Sequence, residues 1–119
     1  MSTVKTLSFN SPHGFSAEVQ LCVAAYANNG SLYIGLVEAE SGEPFTDITV
    51  NMHESAVFPP FQAAVKNYSE NDGMESFIKE SGLGNATGQV VSSGYVKAPV
   101  YQFDREKLLE FSINGVHEY

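Results

Sequence analysis

Three histidines, a single cysteine and a run of acidic residues are where this 119-residue chain could do chemistry. His13, His53 and His117 fall in a turn, at a strand end and in the tail, and no two share a metal-ligand spacing. Cys22 lies in the middle of an apolar alternation, where a thiol is a small core-like side chain. Its expected neighbours, Val37 and Ala24, offer no base to activate it. The segment 82–88, GLGNATG, has the glycine content of a phosphate loop. It lacks a lysine, however, and follows a helix pattern where a phosphate loop would follow a strand, so it reads as a helix stop and turn. Glu38, Glu40, Glu43 and Asp47 gather around one hairpin tip without a calcium-loop spacing. No catalytic group, metal site or cofactor is expected from these residues. What remains is binding: the acidic set Glu38, Glu40, Glu43 and Asp47, and the tyrosines Tyr26 and Tyr33, a cross-strand pair that would make a protein hot spot if exposed.

The elements that position these residues centre on a three-stranded antiparallel meander over 19–52. Asn29-Gly30 between two apolar runs is the signal for a two-residue type I′ turn. Such a turn sets Ala25 opposite Ile34, Val23 opposite Leu36 and Tyr26 opposite Tyr33. An odd-length connection around Ser41-Gly42 then brings Leu36 to Ile48, Ile34 to Val50 and Leu32 to Met52, since a one-residue slip would turn every side chain over. A first strand over 4–10 joins through the Ser11-Pro12-His13-Gly14 turn, with Leu7 and Phe9 on the face of Val19 and Leu21. The outer face (Cys22, Ala24, Tyr26, Tyr33, Gly35 and Val37 beside Asp47, Thr49 and Asn51) is too apolar for full solvation. It calls for a cover, either the C-terminal half of the chain or a partner.

Past residue 53 the pattern breaks at Phe58-Pro59-Pro60-Phe61, a loop anchored by Val57, Phe58 and Phe61. A short strand is expected over 63–68. A helix follows with Asp72 as N-cap and Glu75 completing a capping box. Its stripe is Met74, Phe77 and Ile78, and Gly82 is its left-handed stop. Residues 84–93 read as loop or weak strand, and 95–103 as a strand that Pro99 pushes to an edge or a bulge. Asp104 caps a second helix carrying Leu108, Leu109 and Phe111, ending near Asn114-Gly115. The fold class is α+β: an antiparallel sheet of about five strands with two short helices on one face, in one domain over 1–119.

Charge narrows the partners. Fourteen acids against six bases give a net charge of −8. Residues 1–62 hold one base, Lys5, against six acids. That field repels phosphate backbones and predicts no direct nucleic-acid binding; it suits solubility or competition for a basic protein. The lone cysteine, with no apolar membrane-length run and no signal peptide, leads to the expectation of a cytoplasmic protein.

Two blocks, LYIGLVEAESGEPFTDITVNM and FIKESGLGNATGQVVSSGYVKAPVYQFDREKL, carry a resemblance. With Gly82-Leu83-Gly84, Ser93-Gly94-Tyr95 and the Pro99, Tyr101, Phe103-Asp104 ending, the chain resembles a family of small acidic bacterial proteins with a domain of unknown function. That family is frequent on phage, plasmid and conjugative elements of gut bacteria. The resemblance implies an accessory role and transfers no catalytic residue. The expectation is a non-enzymatic, acidic protein-binding module that could inhibit a host nucleic-acid-handling or immunity protein. Two alternatives stand beside it. One is a structural or homo-oligomerising accessory protein using the semi-apolar sheet face; the other is an enzyme with an unrecognised site.

Overall fold

A computed structural model describes residues 4–10, 14, 16–26, 31–50, 59–67, 73–93 and 96–116, without the side chains of 93 and 96. The strands are β1 (Leu7–Asn10), β2 (Ser16–Ala25), β3 (Leu32–Glu38), β4 (Pro44–Asp47), β5 (Gln62–Ala64), β6 (Gly84–Ser93) and β7 (Val96–Phe103); the helices are α1 (Met74–Ser81) and α2 (Arg105–Phe111). The class is α+β. The strands form two antiparallel sheets, ordered β1-β2-β3-β4 and β5-β7-β6, in place of one sheet of about five. One buried core serves both: the inner face of the first sheet meets Met74, Phe77, Ile78, Leu83, Tyr101, Phe103, Leu108 and Phe111. The C-terminal half therefore covers the inner face, and the outer face is left half-buried.

β1 pairs as expected, with Leu7 opposite Val19. The β2–β3 register differs from the expected one by two residues: Val23 faces Ile34, Ala25 faces Leu32 and Leu21 faces Leu36. The ladder closes at Tyr26 and Ser31, whose N–H to carbonyl distance is 2.9 Å. The connection is thus the four residues 27–30, and the Asn29-Gly30 turn lies outside the described residues. Both registers put the same side chains inside. The observed one gives Leu21 an apolar partner, whereas the two-residue turn would have set it against Glu38.

The next pairing is shifted by two as well. Leu36 faces Thr46, Gly35 faces Asp47, and an irregularity after Leu36 brings Val37 to Pro44. The skipped residue, Phe45, packs against the core and meets Phe9 edge-on at 5.7 Å. A bulge re-aims a side chain, and here it adds an aromatic ring to the core margin. Ile48 lies by Ile34, its N–H 2.9 Å from the Ile34 carbonyl oxygen. Met52 and Asn51 lie outside the described residues.

Thr49 joins the two sheets. It is 1% exposed, and its Oγ1 accepts the Ile34 N–H at 3.2 Å. The main chain around it turns to the other sheet: Thr49 bridges Val65, Val50 N–H reaches Ala64 O at 3.0 Å and Lys66 N–H reaches Ile48 O at 2.8 Å. β5 is shorter than the strand expected over 63–68, and β6 is a full strand. β7 is the central strand of its sheet, so Pro99 is not at an edge. The ladder absorbs it: the β6 register shifts between Ala86 and Val90, Gly88 takes φ 89°, and Thr87 Oγ1 donates to Val100 O at 2.9 Å.

Helix punctuation is largely as read. The Leu83 N–H reaches Ile78 O and the Gly82 N–H reaches Lys79 O, closing α1 as a Schellman motif with Gly82 at φ 75°. The N-cap is Gly73, with no side-chain bond, and Asp72 lies outside the described residues. Glu75 bonds elsewhere, accepting from Asn67 at 2.7 Å and from Tyr101 at 2.8 Å. Asp104 caps α2 by accepting from Glu106 and Lys107 N–H. Phe61 anchors its loop at φ 62°, a strained value for a bulky residue. Val57 and Phe58 lie outside the described residues.

After α2 the chain runs beside the stretch of β2 that β1 leaves uncovered. Ser112 bridges Leu21, the Ile113 N–H reaches Leu21 O at 2.8 Å, and the Asn114 amide clamps Val23, accepting its N–H at 3.0 Å and donating to its carbonyl at 2.8 Å.

Two predictions follow from these contacts. Replacing Leu36, 1% exposed, with Asp should abolish cooperative thermal unfolding, because an unpaired buried charge costs as much as a domain's whole stability. Thr49→Val, which strands the Ile34 N–H, should lower unfolding free energy by about 1–3 kcal/mol in a denaturant titration, while Thr49→Ser keeps most of it. Equal stability of Thr49→Val and parent would refute the joint.

Candidate functional site

The outer face of the first sheet brings Tyr26 and Tyr33 together, though not directly across from each other. Tyr33 stands opposite Ala24. The two rings meet on the diagonal, edge to face at 5.5 Å and 81°. Tyr33 lies flat along its own strand over Gly35, where any Cβ would collide with its Oη. Its hydroxyl donates to Asp47 Oδ1 at 2.7 Å. Tyr26 Oη is 3.0 Å from Thr49 Oγ1, the oxygen that receives the Ile34 N–H. Both rings are half-buried. Such a pair is a rigid amphipathic surface with two chain-fixed hydroxyls.

Both phenols are shifted upward, chiefly by burial. Burial raises the Tyr33 phenol above its ordinary value of 10.0, and the hydrogen bond and charge of Asp47 raise it further. Tyr26 is raised chiefly by burial, with Thr49 opposing and Asp47 adding. Both stay protonated at neutral pH.

The acidic set divides. Glu38, Glu40 and Glu43 are exposed at the β3–β4 connection, which is closed by Gly42 N–H to Glu38 O at 2.8 Å and Glu38 N–H to Glu43 O at 2.9 Å. Asp47 pairs with Gly35, three residues back along β3 from Glu38, so it sits about 10 Å away at roughly 3.3 Å per residue. It belongs with the tyrosines. The tip gains Glu18, whose carbonyl accepts the Ala39 N–H at 3.0 Å and which lines a shallow depression with Ser16, Ala17, Glu38 and Glu40. Sequence reading missed Glu18; the pairing of Val19 with Glu38 is the signal that places it there.

Cys22 is half-buried and pairs with Gly35, not with Val37 as expected. His13, His53 and His117 lie outside the described residues. Among the described residues no group of three His, Cys, Asp or Glu side chains could hold a metal ion, and no helix is long and apolar enough to cross a membrane.

The fold and this face define a small α+β protein whose distinctive surface is an aromatic pair on the back of a sheet. The chain belongs to the family of a domain of unknown function (DUF4313), whose model matches residues 20–119. The matched span begins within β2 and includes the tyrosine pair and Glu38, Glu40 and Glu43, but not Glu18. No curated protein and no solved structure matches the chain.

Raising the pH tests the tyrosine geometry. A phenol whose folded pKa lies above its unfolded value of 10.0 contributes stability that is complete below pH 10 and is lost as pH rises beyond it. The parent should therefore lose stability progressively above pH 10, and Tyr33→Phe should lose it less steeply. Identical pH–stability curves for the two would overturn the Tyr33–Asp47 bond.

Proposed function

We propose that this chain is a non-enzymatic, protein-binding module that presents the Tyr26–Tyr33 face to a basic partner protein. The observation that carries the reading is the edge-to-face tyrosine pair, held half-exposed on a sheet face by Asp47 and Thr49. Rigid aromatic anchors with few side-chain torsions are what binding hot spots are built from. The net charge of −8 and the exposed Glu38, Glu40 and Glu43 beside that face favour a positively charged partner, and they disfavour nucleic acid. A non-enzymatic role is supported by the protonated state of the two tyrosines and by a thiol set against a glycine. Cytoplasmic residence and carriage on mobile elements complete the proposal, supported by the single cysteine and by the family resemblance. A host nucleic-acid-handling or immunity protein would offer the required basic surface.

The experiment separates anchoring from steering. A basic partner captured from bacterial host lysate by the immobilised chain is measured kinetically against three proteins. Glu38, Glu40 and Glu43 all changed to Gln should slow association and flatten its salt dependence, because exposed charges are screened beyond about 8 Å at physiological ionic strength. Tyr26→Ala should instead speed dissociation by about tenfold or more, as loss of a hot-spot side chain does. Unchanged kinetics in both variants would sink the proposal.

A further inference from the structure

We infer that the corner between Tyr26 and Tyr33 takes an arginine side chain of the partner, its guanidinium laid on the Tyr33 ring and turned toward Asp47. This rests on the proposed binding role and names the group that the face recognises. Both rings begin and end at the sheet surface. Tyr33 runs along β3 until its Oη lies over Gly35, so one face of the ring rests on the sheet and the other is turned outward. Tyr26 crosses from β2 to Thr49, whose Oγ1 accepts a main-chain N–H, so this hydroxyl too is held down at the backbone. A ring tied to the sheet at both ends cannot sit on top of its neighbour. With planes 81° apart and centroids 5.5 Å apart, Tyr33 is therefore a floor and Tyr26 a wall beside it. The exposed carboxylate of Asp47 stands at the hydroxyl end of the floor, 2.7 Å from Tyr33 Oη.

Charge and shape select the occupant. The outward ring face carries the negative end of its quadrupole, and the carboxylate at its edge adds a full charge, so the corner attracts a cation. β2, β3 and β4 contain no lysine or arginine, so none of these strands brings that cation itself. A second copy of the chain, at a net charge of −8, is a poor source of one. A planar guanidinium stacks on a flat ring and still directs N–H groups in its own plane toward a carboxylate at the ring edge. A compact, strongly hydrated ammonium gains less from either contact, so arginine is preferred to lysine.

Nuclear magnetic resonance of the full chain, titrated with the blocked tripeptides Gly-Arg-Gly and Gly-Lys-Gly, tests this. The arginine peptide should shift the Tyr33 ring signals, saturating in the millimolar range, and bind about threefold or more tighter than the lysine peptide. Asp47→Asn should weaken it about threefold, as loss of an exposed charge pair does. Gly35→Ala removes no group that would touch the peptide, yet its new Cβ displaces the Tyr33 hydroxyl. It should therefore weaken the arginine peptide by a similar factor while keeping a cooperative melt. Glu38, Glu40 and Glu43 all changed to Gln should leave binding within about twofold, because exposed charges beyond a screening length act weakly. Equal binding of the two peptides, shifts confined to the tip, or a Gly35→Ala protein that binds like the parent would each overturn the assignment. If neither peptide moves Tyr33 while Tyr26→Ala still speeds release of the captured partner, the guanidinium assignment falls and the binding role stands. A Tyr33 response to the arginine peptide, with a captured partner indifferent to Tyr26→Ala, removes the role alone.

Discussion

The structure turns on the hydroxyl of Thr49. A strand running alongside β3 would ordinarily answer the Ile34 N–H with a backbone carbonyl. Here the Thr49 side chain answers it, at 3.2 Å, while the Ile34 carbonyl takes the Ile48 N–H. The backbone from Ile48 to Val50 is then free to pair with the stretch from Ala64 to Lys66 in the second sheet. A buried N–H left unanswered is expensive, so a chain can cross between sheets only where a side chain takes over the ladder. That crossing folds β5, β6 and β7 onto the inner face of the first sheet and closes the core.

The same rule explains the C-terminus. The β1–β2 pairing stops at Leu7, the first residue of β1, opposite Val19, and leaves that edge of β2 open from Gln20 onward. Residues 112–114 take this edge in a mixed fashion, Ser112 and Ile113 by backbone and Asn114 by its amide, which supplies both an acceptor and a donor to Val23. At the other end of this segment Lys5 reaches Glu110 by backbone and by side chain, 3.0 Å between the charged atoms. An edge that could template aggregation is thus closed from within.

What could be read from sequence follows from which interactions are local. The α1 stop at Gly82 and the Asp104 cap of α2 depend on residues within one turn, and both were legible. The inner face of the meander was legible too, because alternation fixes which side chains point inward. Alternation fixes only the parity of the pairing, however, so both registers slid by two, and only the bulge at Phe45 turned a side chain over. Deciding between them required knowing that Leu21 needs an apolar neighbour across the strand. β6 read only as loop or weak strand since its face is exposed; of the edge or bulge that Pro99 called for, the structure has the irregular ladder, in β6 between Ala86 and Val90. Thr49 and Asn114 gave no signal, since each acts on a residue far away in sequence. The tyrosine pair was found for a partly wrong reason: the rings meet on a diagonal that the expected register did not contain.

The joint and the candidate surface share an atom. Thr49 Oγ1 receives the Ile34 N–H and lies in hydrogen-bond contact with Tyr26, so the ring cannot swing away without leaving its phenol to find another partner. Tyr33 is held by Asp47 on one side and by the absence of a Cβ at Gly35 beneath. Both anchors are therefore set by the fold before any partner arrives, and little side-chain entropy remains to be lost on contact. Under the proposed binding role, a surface fixed in this way would select a partner whose shape already fits it. The acids at the tip, exposed and on a separate stretch of chain, would act at longer range and set how fast that partner arrives. Affinity and rate would then reside in different residues, and each could change without the other.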